Sequence, residues 1–423
     1  MQSTLADPRS PTPWATDHTS PKVARAEAIR VAPPHVLMLS DVYFPRINGV
    51  STSIQTFRQG LEARGVRVTL VAPDYGTREV DESLVRVPSR HVPMDPEDRM
   101  MHYGKLMQYL TALRGPKVDL VHIQTPFVAH YAGTQWARRL NIPTVESYHT
   151  FFEEYFYHYV RCLPRAGLRF LARRFSTRQC NQVNALVVPS QAMLRVLRGY
   201  GVTTQAQVIP TGLDLSAFRG GERARFRQAY GIAAERPVLL YVGRVVFEKN
   251  IEFLFQVVHR LRQQWPDILL VVAGEGPAVE PLKFLAVDMK IAENILFVGY
   301  LDRRQSLLDC YRAGDVFVFA SRTETQGLVL LEAMALGLPV VSTAVMGTTE
   351  VLRDQHGCLV AREDVADFAA KVDRLLTDEA LRRALSASAI EYAAQWSEDA
   401  FTERLLAYYH GIIGTRAAST QRG

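Results

Sequence analysis

Two carboxylates and two cations carry the chemistry that the chain displays most openly. Glu324 and Glu332 lie in "SRTETQGLVLLEAMALGLPVV" (321–341), the first in a polar loop, the second inside an apolar helical run. Arg244 and Lys249 lie in "VGRVVFEKN" (242–250), just past an apolar run. If a helix begins near Gly327, the amides of Gln326, Gly327 and Leu328 lack intrahelical partners, and with the helix dipole they form an anion site. The glycine lets a ligand approach the backbone closely. Glu332 is four residues past Leu328, hence ~6 Å further along the axis, which suits a ribose with two hydroxyls beside a diphosphate. Glu324 precedes the amides and would lie on the other side of the phosphates, where a sugar hangs. A glutamate on a helix can also simply pair with a surface cation, but the flanks "LVLL" and "AMAL" argue against a solvated face. Carboxylates beside a diphosphate need compensation: an arginine forks onto phosphate oxygens, and a lysine adds a point charge.

The elements that must position these residues follow from the pattern of apolar runs. "VFVFA" (316–320) is apolar throughout, as a parallel strand covered on both faces would be; Gly337 stops the following helix and Pro339 opens the next run. The runs 35–40, 66–73, 118–125, 142–148, 185–190 and 206–210 alternate with helical patterns. A second series, 238–244, 268–277, 295–300, 316–321 and 339–343, restarts after "IPTGLD" (209–214). Strands alternating with helices predict an α/β chain of two Rossmann-like, doubly wound parallel-sheet domains facing across a cleft. Ligands then collect at the carboxyl ends of the strands. The expected division is a flexible tail over 1–34, a first Rossmann-like domain over 35–212 and a second over 213–396. A helix at about 397–413 is expected to pack back on the first domain.

Composition limits the alternatives. At 423 residues, two domains are favoured over one, and 48% hydrophobic with 22% charged residues is ordinary for a globular protein. No apolar run approaches the roughly 20 residues that span a bilayer. The first 34 residues lack the continuous apolar core of a signal peptide. Cys162, Cys180, Cys310 and Cys358 are widely spaced without a C-x-x-C, which favours reduced thiols in a cytoplasmic protein. From Tyr155 to Gly212 there is no Asp or Glu but there are eight Arg, a local excess larger than the net charge of +6 for the whole chain. Such a stretch favours an anionic partner over a merely solvated face.

The set R-x4-K followed by "ETQGLVLLE" resembles the family 4 retaining glycosyltransferases of the GT-B fold. The likeness extends to "IPTGLD", "GEGP" (274–277) and "FVGYL" (297–301), and covers nearly all of the chain after residue 34. The resemblance implies that Glu324 contacts the donor sugar and Glu332 the ribose. It implies that Arg244 and Lys249 bind the diphosphate and stabilise it as leaving group, and that Tyr300 lies in the segment touching the base. Gly49, in "DVYFPRINGVSTS" (41–53), opens a helix that offers free amides to a phosphate; the wider family often has two glycines where this chain has Asn48-Gly49. His149 ends the strand "PTVESYH" and matches the family's first-domain histidine, so it is expected near the donor sugar.

No cofactor and no metal are expected. The chain has no two aspartates two positions apart, no His-Glu-x-x-His and no Cys/His cluster, so amides, Arg and Lys are expected to stabilise the leaving group. For the acceptor, Arg165, Arg169 and Arg173 repeat every four residues, beside an apolar stripe of Leu168, Leu171 and Phe175. A basic amphipathic helix can lie on anionic lipid; equally, the stripe can be core and the arginines solvated. The aromatic run "FFEEYFYHY" (151–159) resembles the branch that glycosylates diacylglycerol or phosphatidylinositol. The expectation is therefore a retaining hexosyltransferase moving glucose from UDP-glucose to diacylglycerol, as a peripheral protein on the cytoplasmic face of the plasma membrane. Rival readings are a GDP-mannose-dependent enzyme, a transferase with a soluble or polysaccharide acceptor, and a non-catalytic basic binding protein. No recognised nucleic-acid motif is present.

Overall fold

The computed structural model describes residues 33–76, 81–92, 95–113, 117–149 and 165–420, with the backbone alone of 95–98, 165, 166 and 416–420. The aromatic run 151–159, Cys162 and the segment 1–32 lie outside the described residues. The first domain carries β1 (His35–Leu39), α1 (Gly49–Ala63), β2 (Arg67–Pro73), β3 (Leu84–Val87), β4 (Ser89–Val92) and β5 (Asp95–Met101). It continues with α2 (Tyr103–Ala112), β6 (Leu120–Ile123), α3 (Val128–Leu140), β7 (Thr144–Ser147), α4 (Arg165–Cys180), β8 (Ala185–Val188), α5 (Gln191–Gly199) and β9 (Ala206–Val208). Seven parallel strands pair in the order β3-β2-β1-β6-β7-β8-β9, and β4 and β5 form a separate antiparallel pair. β1 and β6 are buried along their whole length, and Leu37, Leu39, Val121 and Ile123 pack with Trp136 and Ala132 of α3. Continuous burial explains why these strands read as unbroken apolar runs rather than as alternation.

The second domain runs α6 (Arg223–Ala229), β10 (Val238–Val242), α7 (Ile251–Leu261), β11 (Leu269–Ala273), α8 (Val279–Asp288), β12 (Ile295–Gly299) and α9 (Ser306–Ala313). Then follow β13 (Val316–Phe319), α10 (Leu328–Ala335), β14 (Val340–Thr343), α11 (Thr348–Val351), β15 (Cys358–Ala361), α12 (Val365–Thr377) and α13 (Glu379–Ala394). Six parallel strands pair as β12-β11-β10-β13-β14-β15. In each sheet the strand order reverses at the first strand: β1 has β2 on one side and β6 on the other, and β10 has β11 and β13. At such a switch point neighbouring loops diverge and leave a crevice. The loops after β1, β6, β10 and β13 therefore meet at the site, with residues from the loops after β7 and β12 joining them.

The last helix, α14 (Glu398–Thr420), belongs in space to the first domain. The chain crosses back where the amide of Leu213 donates to Trp396 O at 2.7 Å and that of Glu398 to Leu213 O at 3.1 Å. α14 then lies on α1, where Gly60 faces Thr402 and Arg64 pairs with Asp399 at 2.9 Å. Four short strands escape the sequence reading: β3, β4, β5 and β15. Each is four residues long except β5, and neither "LVRV" nor "SRHV" is long enough to display a period. No helix among the described residues is long and apolar enough to cross a membrane.

Candidate functional site: a cleft between two switch points

α10 begins as the sequence suggests. Gly327 is its N-cap with φ +97, a left-handed conformation that glycine adopts without penalty. A Cβ there would stand 2.9 Å from Leu330 Cδ1 and 3.2 Å from Thr348 Cγ2. The loop ahead of it is held by the Gly347 amide, which donates to Glu324 O at 2.9 Å. The helix N-terminus thus opens onto a cavity of about 590 Å³ between the domains. From the second domain Arg244, Lys249, Tyr300, Glu324 and Glu332 line it, together with Gln326, Gly327 and Leu328; from the first come Gly49 and His149.

The charged residues occupy one another. Lys249 Nζ donates to Glu324 Oε2 at 2.5 Å, and its ammonium also lies 6.0 Å from the Phe319 ring. Glu332 is buried, its Oε1 accepting from Arg303 at 2.6 Å and its Oε2 from the Tyr311 hydroxyl at 2.8 Å. The neighbouring carboxylate raises the pKa of Arg303, and burial pushes the Tyr311 phenol far up. Two donors do not exhaust Glu332: a carboxylate offers about four lone-pair sites, so each oxygen keeps room for a further hydroxyl. Lys249 likewise retains two of its three N–H groups. Arg303 and Tyr311 escape the sequence reading; Arg303 stands three residues past Tyr300 in "FVGYLDRR", where its position after a strand was the available signal. Tyr300 contributes a side chain, its hydroxyl accepting from Arg46 at 2.8 Å across the cleft.

Gln326 has a second task. Its Oε1 accepts from the Thr211 amide at 2.8 Å and its Nε2 donates to Thr211 O at 2.7 Å, tying the loop ahead of α10 to the "IPTGLD" crossover. Thr211 also shares a 2.7 Å hydroxyl contact with Ser53 of α1. Gly49 is the first residue of α1, whose N-cap Asn48 accepts from the Ser51 amide at 2.8 Å. Part of that helix terminus is therefore satisfied internally.

His149 leaves β7 at the cleft and is half-buried; its Nε2 bonds Gln124 Oε1 at 3.2 Å, and burial lowers its pKa to about 4. The same cavity is lined by Asp41, which sequence patterning did not single out. Its carboxylate accepts from Thr125 Oγ1 at 2.8 Å and from the Ala129 amide at 3.1 Å, capping α3. Burial outweighs those bonds and raises its pKa to about 6.

Of the three arginines set aside for a membrane, Arg169 and Arg173 do not line the cleft. They stand on α4, where Arg169 and Arg173 are exposed; Arg165 opens the helix and its side chain lies outside the described residues. The apolar stripe expected there splits. Leu168 is buried, Phe175 is half-buried, and Leu171 is 53% exposed beside Phe170 at 62%. Ala172, Ser176 and Gln179 take the inward positions instead, because small and polar residues fit where Tyr148 bonds Ser176 at 3.0 Å.

Comparison with known proteins decides the family. The family described as "Glycosyltransferase Family 4" matches residues 47–217, and "Glycosyl transferases group 1" matches residues 222–393. An alpha-monoglucosyldiacylglycerol synthase of Streptococcus pneumoniae is 32% identical over 72% of this chain and 70% of that protein. The chain belongs to the family 4 glycosyltransferases. A sulfoquinovosyl transferase of Arabidopsis thaliana is 29% identical to this glycosyltransferase, over 86% of this chain and 70% of the other. A sucrose-phosphate synthase structure from Thermosynechococcus elongatus superposes with a TM-score of 0.74 at 22% identity, covering 90% of this chain and all of the other. That likeness establishes the GT-B fold of this glycosyltransferase, with its two parallel-sheet Rossmann-like domains.

Proposed function

We propose that this glycosyltransferase transfers a hexose, glucose from UDP-glucose, with retention of anomeric configuration, to diacylglycerol at a membrane surface. The donor half rests on the cleft. The α10 N-terminus, Arg244 and Lys249 offer a diphosphate two cations and a helix dipole, while Glu332 receives the ribose hydroxyls and Glu324 and His149 flank the sugar. The positive groups are fixed before the reaction, so charge developing on the departing diphosphate meets donors that need not reorganise. In this front-face scheme the bond from the anomeric carbon to the diphosphate breaks as the acceptor oxygen attacks from the same face. The acceptor's hydroxyl proton passes to a leaving phosphate oxygen. No metal is needed in this scheme, so turnover in excess chelator should stay near the parent rate; loss restored only by Mg2+ or Mn2+ would refute it.

The observation that carries the lipid half is the outer face of α4. Exposed Phe170 and Leu171 sit among exposed Arg169, Arg173 and Arg174, an apolar wedge in a basic surround. That combination suits a leaflet with anionic headgroups. The name of the pneumococcal relative supports diacylglycerol as acceptor, and docking on the cytoplasmic leaflet follows from where nucleotide sugars are used. The test is transfer of labelled hexose from UDP-glucose and GDP-mannose to vesicles with and without diacylglycerol. Label in a glucosyl lipid is the expected result; transfer only to soluble acceptors overturns it.

A further inference from the structure

Behind His149 lies a polar chain that no feature of nucleotide-sugar binding requires. His122 and Gln124 are two apart on and just after β6, and Ser147 and His149 are two apart on and just after β7, so each pair shares a face of the sheet. His122 is fully buried, with Nε2 2.8 Å from Ser147 Oγ. Its Nδ1 is approached by Gln124 Nε2 at 3.0 Å and by the Tyr409 hydroxyl at 2.5 Å. Tyr409 comes from α14, 287 residues along the chain, and is fully buried.

The directions of these bonds follow from the orientation of the Gln124 amide. Turned as it stands, its N–H meets His122 Nδ1, which accepts, and the ring proton sits on Nε2, donating to Ser147. Burial, reinforced by His149, lowers the His122 pKa to about 3, and burial holds the Tyr409 phenol far above its usual range, so both are neutral at pH 7. With its N–H group turned to His122, Gln124 must turn Oε1 to His149. That oxygen only accepts, so His149 carries its proton on Nε2. Nδ1 of His149 is then left as an acceptor.

We infer that His122 and Tyr409 are positioning residues of the transfer site: they fix the Gln124 amide, and through it hold His149 in the tautomer that offers Nδ1 to a hydroxyl of the donor sugar. The inference deepens the proposed function and rests on its placing of His149 beside that sugar. It also gives α14 a role in the site. While the Tyr409 hydroxyl donates, it shares the single lone pair of His122 Nδ1 with the Gln124 amide and keeps that nitrogen unprotonated; without it, the ring can change tautomer and the Gln124 amide can exchange its two ends.

The test uses the full chain labelled with 15N-histidine, with His149 assigned from the signals lost in His149→Ala. In the parent, His149 should show a protonated Nε2 and an unprotonated Nδ1. His122→Leu, which removes the acceptor, should mix the two tautomers and lower turnover roughly tenfold, the worth of one neutral hydrogen bond, with the Kd for UDP unchanged. His122→Asn places a side-chain oxygen near the Nδ1 position and should restore both the tautomer and most of the turnover. Tyr409→Phe keeps the packing and should move His149 the same way by less, which covers the case in which His122→Leu fails to fold. His149 signals identical to the parent's in Tyr409→Phe and His122→Leu would overturn the inference. Parent-like turnover in His149→Ala would instead refute the placing of His149 beside the sugar, while the tautomer signals still decide whether this network sets the ring.

Discussion

At the residue scale, the two motif glutamates differ in surroundings and should differ in effect. Glu332 is buried between Arg303 and Tyr311. Glu332→Ala removes the carboxylate proposed to receive the ribose and leaves the Arg303 guanidinium without its partner, so donor affinity should fall by about 1.5–3 kcal/mol, the worth of a hydrogen bond to a charged group. Glu324 is partly exposed and shared with Lys249. Glu324→Ala should lower kcat more than it weakens UDP binding, which calorimetry with UDP beside initial rates would separate. Equal small effects from both would contradict the assignment. Asp41 is a residue whose charge costs the fold something. Folded, it keeps its proton to about pH 6, whereas the unfolded chain releases it near the ordinary 3.8. The stabilisation tied to that proton is fully present below the unfolded value and is lost as pH rises through about 6. Asp41→Asn removes this dependence. Relative to the parent, the variant should gain about 1 kcal/mol between pH 5 and pH 7.5 in urea unfolding. A constant difference across that range would show that Asp41 ionises normally.

At the element scale, α4 carries two separable forces. The charges of Arg169 and Arg173 act through a screened field, although Arg173 also stacks 5.3 Å from the Tyr200 ring. Arg169→Ser with Arg173→Ser should weaken binding to anionic vesicles by up to ~2 kcal/mol at low salt, and hardly at all at high salt. Phe170→Ser with Leu171→Ser removes apolar burial, at about 1.5–3 kcal/mol for each side chain fully inserted, and that loss should persist in salt. Co-sedimentation of both variants at two ionic strengths distinguishes the terms. Parent-like binding by both would remove α4 as the contact.

At the scale of the whole molecule, the crossover at Gly212 and the return of α14 hold the two domains in one working unit. A Cβ on Gly212 would stand 2.3 Å from Glu398 Cα and 2.7 Å from its amide nitrogen. Backbone atoms cannot swing aside, so Gly212→Ala should destabilise the protein by about 1–3 kcal/mol, as overpacking does. Gly60→Ala makes the useful contrast, because the atoms nearest its Cβ belong to the Thr402 side chain rather than to backbone. Thermal unfolding of the two variants should therefore rank Gly212→Ala below Gly60→Ala. The reverse order would mean that the crossover yields more readily than the α1–α14 packing.

What the chain reveals by itself is what depends on neighbours in sequence. Burial on both faces makes "HVLML" and "VFVF" continuous apolar runs, and the positive φ at Gly327 belongs to a single residue that marks a helix start. The Glu324–Glu332 spacing is likewise a property of one loop and one helix. Tertiary structure alone decided which partners those residues meet. Arg303 reaches Glu332 because β12 and β13 flank the pair β11 and β10, and Gln326 reaches Thr211 because the domains fold onto each other. Tyr409 reaches His122 only after α14 has crossed back over the first domain. The outward turn of Leu171 has the same origin, since the helix period places it on a flank and the small inward residues decide which flank faces solvent. Local periodicity encodes elements and their ends; contacts between distant residues depend on strand order and chain crossing, which no local pattern carries.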